Sequence, residues 1–157
     1  MKSIYAITVI AILTIFGLAS VADEEHHHHK HHAPHDGTLV VLGEEFAHLE
    51  FVLDKETGNI TIYVLDGEAE NPIRIEQQSI ELKIVTKEDN SKTQISILEF
   101  NPVSNVLTGE KKGDSSEFSA QSDQLKNQNS FDAVISEITV SGVEFKQVEF
   151  GFPEGNE

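Results

Sequence analysis

The chain has 157 residues, with 27 acidic side chains against 11 Lys and Arg, and its formal net charge is −16 at neutral pH. This length fits one domain of ordinary size, and the negative charge disfavours nucleic acid and anionic membrane surfaces as partners. The absence of cysteine excludes disulfide bonds, thiolate metal ligands and a cysteine nucleophile.

Residues 1–22 have the features of a cleavable signal peptide. Lys2 is followed by an apolar run from Ile4 to Leu18, and Ser20-Val21-Ala22 supplies the small residues that precede a cleavage site. The run is shorter than the ~20 residues of a spanning helix. We therefore expect cleavage after Ala22, export to the bacterial periplasm or medium, and no membrane span in the mature chain. Cleavage removes Lys2 and changes the net charge from −16 to −17. An uncleaved N-terminal anchor is the alternative.

Residues 23–36 read DEEHHHHKHHAPHD and lack apolar periodicity, which predicts a disordered tether. Neutral imidazole suits Zn²⁺, Ni²⁺ and Cu²⁺, and several imidazoles on a flexible chain can close around one ion. The candidate ligands are His26, His27, His28, His29, His31, His32, His35 and His48. We therefore expect a divalent transition metal (Zn, Ni or Cu(II)) as cofactor, with affinity that falls as the rings protonate near their usual pKa of ~6.5.

Two other interpretations of the tract exist. A purification tag is normally uninterrupted, whereas Lys30 interrupts this run. The tract could also be a solubilising spacer that binds metal only incidentally.

From Thr38 onward, short alternating apolar segments separated by turn residues predict strands. They are Thr38–Leu42, Phe46–Leu53, Ile60–Leu65, Ser79–Val85, Thr93–Phe100, Phe131–Val140 and Val143–Phe150. Ser116–Ala120 could be an eighth, short strand, and Ile73–Ile75 is a short apolar segment after Pro72. Ser122 is the expected N-cap of one helical turn over Ser122–Asn127. Strands of this number and spacing predict an all-β domain over residues 37–152, followed by a frayed tail at 153–157. The expected fold is an immunoglobulin-like two-sheet sandwich of seven to eight strands, and a small open barrel is the alternative.

His35 and His48 are the histidines that the domain could order. A two-residue turn at Gly43-Glu44 would pair Leu39 with His48, on the face opposite the apolar stripe. His35 would then lie roughly 13 Å from His48. A shared site therefore requires the chain to fold back at Pro34 or a bulge to intervene. A catalytic zinc would use Glu50 as its third ligand, and only with that fold-back. The alternative is an exposed strand histidine at position 48.

Five acidic residues could form a rim at one end of the domain, namely Glu44, Glu45, Asp66, Glu68 and Glu70. Their spacing does not match a calcium loop, which predicts solvated loop charge. We expect no catalytic activity, since the sequence has no nucleophile elbow, zinc-protease helix motif or phosphate loop. An envelope protein-interaction module that docks through a sheet face is the second functional hypothesis.

The stretch APHDGTLVVLGEEFAHLEFVLDKETGNITIYVLDGEAE (Ala33–Glu70) resembles the APHGG-TLV, HLE and YVLDG pattern of small bacterial exported β-domains. Related His-Gly-Gly openings occur in periplasmic parts of heavy-metal efflux systems. Asp36 stands where the first glycine of the pattern is usual. The resemblance implies a metal-handling context and an envelope metal-efflux component as partner, and it brings no assigned activity.

Overall fold

The computed structural model describes residues 31–88 and 92–156. The predicted signal peptide, the cleavage site and the candidate ligands His26–His29 lie outside these residues. Within them, no helix is both long enough and apolar enough to cross a membrane.

The described chain is all-β, with a single turn of 3-10 helix. The strands are β1 Thr38–Leu42, β2 Ala47–Asp54, β3 Asn59–Leu65, β4 Ile80–Glu88, β5 Lys92–Pro102, β6 Glu117–Gln121, β7 Phe131–Val140 and β8 Val143–Phe152. They form one antiparallel sheet in the order β1-β2-β3-β6-β5-β4-β7-β8. The sheet curls until β1 approaches β8, so that it is nearly closed into a barrel.

The predicted all-β class is confirmed, and most predicted strands agree closely with the observed ones. The two-sheet immunoglobulin-like sandwich is not confirmed, because β5 joins the two halves of one sheet. This strand pairs with β4 along its length and with β6 only at its end, through Asn101 and Pro102. The short segment Ile73–Ile75 makes an isolated bridge, from Ile75 to Ser115. Ser122 caps the 3-10 turn Asp123–Leu125 as expected, by accepting from the Gln124 N–H.

Strand alternation explains where the core lies. Alternate residues of β1 and β3 are buried inside the curled sheet, together with the apolar positions of β4, β7 and β8. Phe51, Phe100 and Phe118 are the largest fully buried side chains. Phe150 and Phe152 of the last hairpin are also buried there, as expected for core packing. Burial of these rings is the main source of stability in a chain without disulfides.

The predicted two-residue turn between β1 and β2 is wrong. Leu42 pairs with Ala47 across a four-residue loop, in which the Phe46 N–H donates to the Leu42 carbonyl and Gly43 adopts a positive φ. The register therefore differs from the expected one by two residues, which preserves the face of every side chain. Leu39 consequently pairs with Glu50 rather than His48.

The C-terminal residues close the free edge of β1. The side-chain oxygen of Asn156 accepts from the Val41 N–H at 2.8 Å, and its amide donates to the Val41 carbonyl at 3.1 Å. The Thr38 hydroxyl donates to the Pro153 carbonyl. Residues 153–156 thus lie against β1, where a frayed tail was expected, because they satisfy backbone groups that an edge strand would otherwise leave to solvent.

Candidate metal centre

Residues 31–37 lie against the outer face of the sheet, the face opposite the core. A tight turn forms at Ala33–Asp36, where the Asp36 N–H donates to the Ala33 carbonyl at 3.1 Å. Gly37 then passes very close to β2, since a Cβ placed on it would lie 2.7 Å from the Phe51 carbonyl oxygen. The end of the predicted tether, residues 31–36, therefore contacts the domain in the way that a fold-back near Pro34 requires.

His35 is held by a buried carboxylate. Its Nδ1 lies 2.7 Å from Glu50 Oε2, and its backbone N–H donates to Glu50 Oε1 at 2.7 Å. The Gly37 N–H donates to the same oxygen at 2.9 Å. The ring stacks on Tyr63 with centroids 3.8 Å apart. Glu50 is fully buried while the His35 side chain is 45% exposed, so the carboxylate fixes one edge of the ring and the other edge faces outward.

His48 is fully buried, which contradicts its interpretation as an exposed strand histidine. Segment 31–37 covers the face on which it lies. Its Nδ1 contacts the Asp66 carbonyl oxygen at 3.2 Å, whereas its Nε2 is buried without a hydrogen-bond partner.

His31 packs on His48 with ring centroids 4.8 Å apart and an interplanar angle of 59°. Its side chain is only 8% exposed, and its Nε2 is likewise buried without a hydrogen-bond partner. The nearest carboxylate oxygen is Glu45 Oε1, at 3.8 Å from His31 Nε2. His32, the neighbour of His31, is exposed. The structure thus brings His31 to His48 and His35 to Glu50.

Negative charge surrounds the His35 site. Tyr63 pairs with Glu50 on β2 and with Glu117 on β6. Burial raises the pKa of Glu117, and the charge of Glu110 raises it further, while His35 opposes the shift. Burial, followed by the charges of Glu117 and Glu50, raises the pKa of the Tyr63 hydroxyl. These carboxylates favour a cation at the outer edge of the His35 ring.

Asp66, one of the five residues of the acidic rim, fits the prediction that these carboxylates are loop charges. A hydrogen bond from the Asn71 side chain, together with one from the Glu70 N–H, holds the pKa of Asp66 below its usual value. Its carboxylate thus organises its own turn.

No three or more His, Asp or Glu side chains within residues 31–88 and 92–156 are arranged to hold a metal ion. The described residues hold histidine side chains in two places, His35 beside Glu50 and His31 beside His48, and neither is a complete coordination sphere.

Sequence reasoning proposed Glu50 only as a ligand and missed Tyr63 as the ring under His35. It also missed the contact between His31 and His48. The correct β1–β2 register would have placed Glu50 beside the start of the domain, because the observed pairing sets Glu50 opposite Leu39.

Comparisons with protein-family models, with curated proteins and with solved structures found no match. The functional argument therefore rests on the chain's own residues.

Proposed function

We propose that the protein binds divalent transition-metal ions through its histidine-rich segment and captures, buffers or delivers them outside the cytoplasm. The proposed ligands are mainly the histidines of residues 26–35, with Zn²⁺, Ni²⁺ and Cu²⁺ as the candidate ions. An envelope metal-efflux component is the proposed partner. The role is binding rather than catalysis.

The setting of His35 is the observation that carries this proposal. A carboxylate oxygen at 2.7 Å accepts the Nδ1 proton, which leaves the lone pair of the neutral ring on Nε2. Metal-binding histidines characteristically donate their second ring nitrogen to a carboxylate or carbonyl in this way. Glu50 is held in turn by the backbone N–H groups of His35 and Gly37. This geometry supports the half-exposed ring of His35 as a metal ligand at the end of the tract.

The position of the tract supports the same proposal. His31 and His35 both lie against the sheet, and His26–His29 precede them in the sequence. Ordering part of a ligand set lowers the entropy lost when the remaining ligands close around an ion.

Calorimetric titration with Zn²⁺, Ni²⁺ and Cu²⁺ at about pH 7.5 and 5.5, on either side of the imidazole pKa, tests the proposal. We expect the full chain to bind more tightly at the higher pH. The quadruple variant H26N/H27N/H28N/H29N is expected to lose at least tenfold in affinity or one bound ion.

Two controls separate imidazole binding from attraction by the net charge. The E68Q/E70Q variant removes acidic charge but no histidine, and we expect it to bind like the unmodified chain. Mg²⁺, which prefers oxygen ligands, is expected to bind far more weakly than Zn²⁺. Equal affinity for Mg²⁺ and Zn²⁺, or an unchanged quadruple variant, would contradict the proposal.

A protein-interaction module is the second candidate function, and the outer face of β5 favours it. Ile95 and Ile97 are 59% and 66% exposed there, and Ile95 pairs with the partly buried Val85. Adjacent exposed isoleucines are a feature of contact surfaces. The I95T/I97T variant keeps two β-branched residues. If β5 is the functional surface, this variant should lose association with an envelope component while its metal affinity stays unchanged.

A further inference from the structure

We propose that His31 and His48 form a metal-ion site on the domain itself. One borderline divalent ion such as Zn²⁺ would join the end of the histidine-rich segment to β2. This inference rests on the proposed metal-binding function and gives it a second, defined location. It differs from binding by the tract because an ion at this site would hold residues 31–36 against the sheet.

The hydrogen bond of His48 determines which of its ring nitrogens is available. The Asp66 carbonyl can only accept, so the Nδ1 at 3.2 Å carries the proton. In the neutral ring the lone pair is then on Nε2. That atom is buried and has no hydrogen-bond partner. A buried acceptor that has lost water without gaining a donor is costly, and a bound cation removes this cost.

His31 presents a second buried ring nitrogen beside His48. Its Nε2 is also buried and without a hydrogen-bond partner, and its ring contacts that of His48. Two nitrogen ligands on one tetrahedral Zn²⁺ lie about 3.4 Å apart, which places their ring centroids about 5.3 Å apart. The observed centroid distance of 4.8 Å is near that value. We infer that rotation of the His31 ring, which belongs to the segment and not to a strand, directs both Nε2 atoms at one ion when the ion binds.

Glu45 is the carboxylate nearest to His31 Nε2, and it would serve as the third ligand only once an ion draws the three side chains together. Its Oε1 is 3.8 Å from His31 Nε2, close to the separation of two ligands on one ion. The β1–β2 loop carries it, with a φ of +57° at Glu45. Two imidazoles and one carboxylate suit Zn²⁺ and leave a fourth position for water or for a histidine from the tract. The ion class is therefore that of borderline divalent metals, not Ca²⁺ or Mg²⁺.

Thermal unfolding of the full chain with and without Zn²⁺ tests the site, since an ion that bridges the segment and β2 stabilises the folded state. At a hundredfold excess over Kd, the unmodified chain should gain about 10 °C in Tm. H31N and H48N should each lose most of this gain. Asn at position 48 keeps an N–H for the Asp66 carbonyl but has no Nε2, and H31N decides the question if H48N does not fold.

E45Q should reduce the gain in Tm, while its loop neighbour E44Q and the segment variant D36N should retain it. A gain of equal size in H31N and H48N would overturn the inference, as would Zn²⁺ binding by the unmodified chain without any gain in Tm. Calorimetry on the same samples separates this failure from that of the proposed function. Zn²⁺ binding without a His31- and His48-dependent gain overturns only the bridging site, whereas no Zn²⁺ binding at all overturns both.

Discussion

Glu50 shows how one residue links the start of the domain to its sheet. The carboxylate is fully buried and accepts hydrogen bonds from two backbone N–H groups and from the His35 ring. Sequence analysis proposed Glu50 only as a third metal ligand. The observed register places Glu50 beside residues 35–37. Burial of a carboxylate requires several converging donors, and these residues supply them.

Glu50→Gln separates two roles of this side chain, namely accepting from the backbone N–H groups of residues 35 and 37 and fixing the proton of the His35 ring on Nδ1. The amide oxygen still accepts from the His35 and Gly37 N–H groups, but the amide nitrogen faces His35 Nδ1 and donates to it, which moves the ring proton to Nε2. We expect Zn²⁺ affinity to fall by about tenfold or more, and the free energy of unfolding to fall by about 1–3 kcal/mol. Calorimetry and urea unfolding measure the two effects.

The control for this prediction is Glu81→Gln, at an exposed strand carboxylate that accepts from the Ser136 hydroxyl. Both quantities should stay unchanged in this control. Zn²⁺ affinity in Glu50→Gln equal to that of the unmodified chain would show that the Glu50 contact does not orient a ligand.

Gly37 is required by the close approach of the segment to β2. In Gly37→Ala, the added Cβ would meet the Phe51 carbonyl oxygen at 2.7 Å and the Glu50 Cγ at 2.7 Å. We expect a loss of about 1–3 kcal/mol in the free energy of unfolding, since the backbone has to move away. Gly151→Ala is the control, because its Cβ would meet only the Glu154 side chain, at 3.5 Å. A loss of equal size in both variants would contradict this account of Gly37.

At the scale of elements, the loop between β5 and β6 is organised by another nearly buried carboxylate. Glu110 accepts from the Thr108 hydroxyl at 2.5 Å, from the Ser116 N–H at 2.9 Å and from the Ser116 hydroxyl. Burial raises the pKa of Glu110, but the hydrogen bonds from Ser116 and Thr108 together outweigh it and lower the pKa below 4.5. Sequence analysis predicted no strand between Phe100 and Ser116, and it did not identify Glu110 as the residue that anchors this loop.

A carboxylate with a lowered pKa stabilises the fold above its unfolded pKa, and this contribution is lost as the pH falls through the lower folded value. Glu110→Gln should therefore cost about 1–3 kcal/mol near neutral pH. The difference from the unmodified chain should shrink as the pH falls below about 4.5. Chemical unfolding at several pH values measures it, with the exposed Glu99→Gln as control. A difference that stays constant down to the acid limit would contradict the assignment.

At the scale of the whole molecule, local patterns predicted the strands and not the way they associate. Alternation of apolar residues identified segments such as Phe131–Val140 to within a residue, because side-chain period and burial are local properties. The strand order depends on long-range pairing, in particular on β5 pairing with both β4 and β6. Nothing in the sequence of β5 specifies that second partner.

The candidate site was predictable to a similar degree. The histidine run led to the proposed metal-binding chemistry through its composition alone. The contacts of His31 with His48 and of His35 with Glu50 depend on the turn at Ala33–Asp36 and on the loop that sets the β1–β2 register. These two short connections determine which side chains meet on the outer face.

The X-ray absorption spectrum of the protein loaded with one equivalent of Zn²⁺ tests the metal-binding account most directly. We predict a first shell of nitrogen and oxygen at about 2.0–2.1 Å, together with the outer-shell scattering of at least two imidazole rings. H26N/H27N/H28N/H29N should reduce the imidazole scattering, and the further variant with H31N and H48N added should reduce it again. A first shell of oxygen alone, without imidazole scattering in the unmodified chain, would contradict the account, because the ion would then be held by acidic residues and not by histidine.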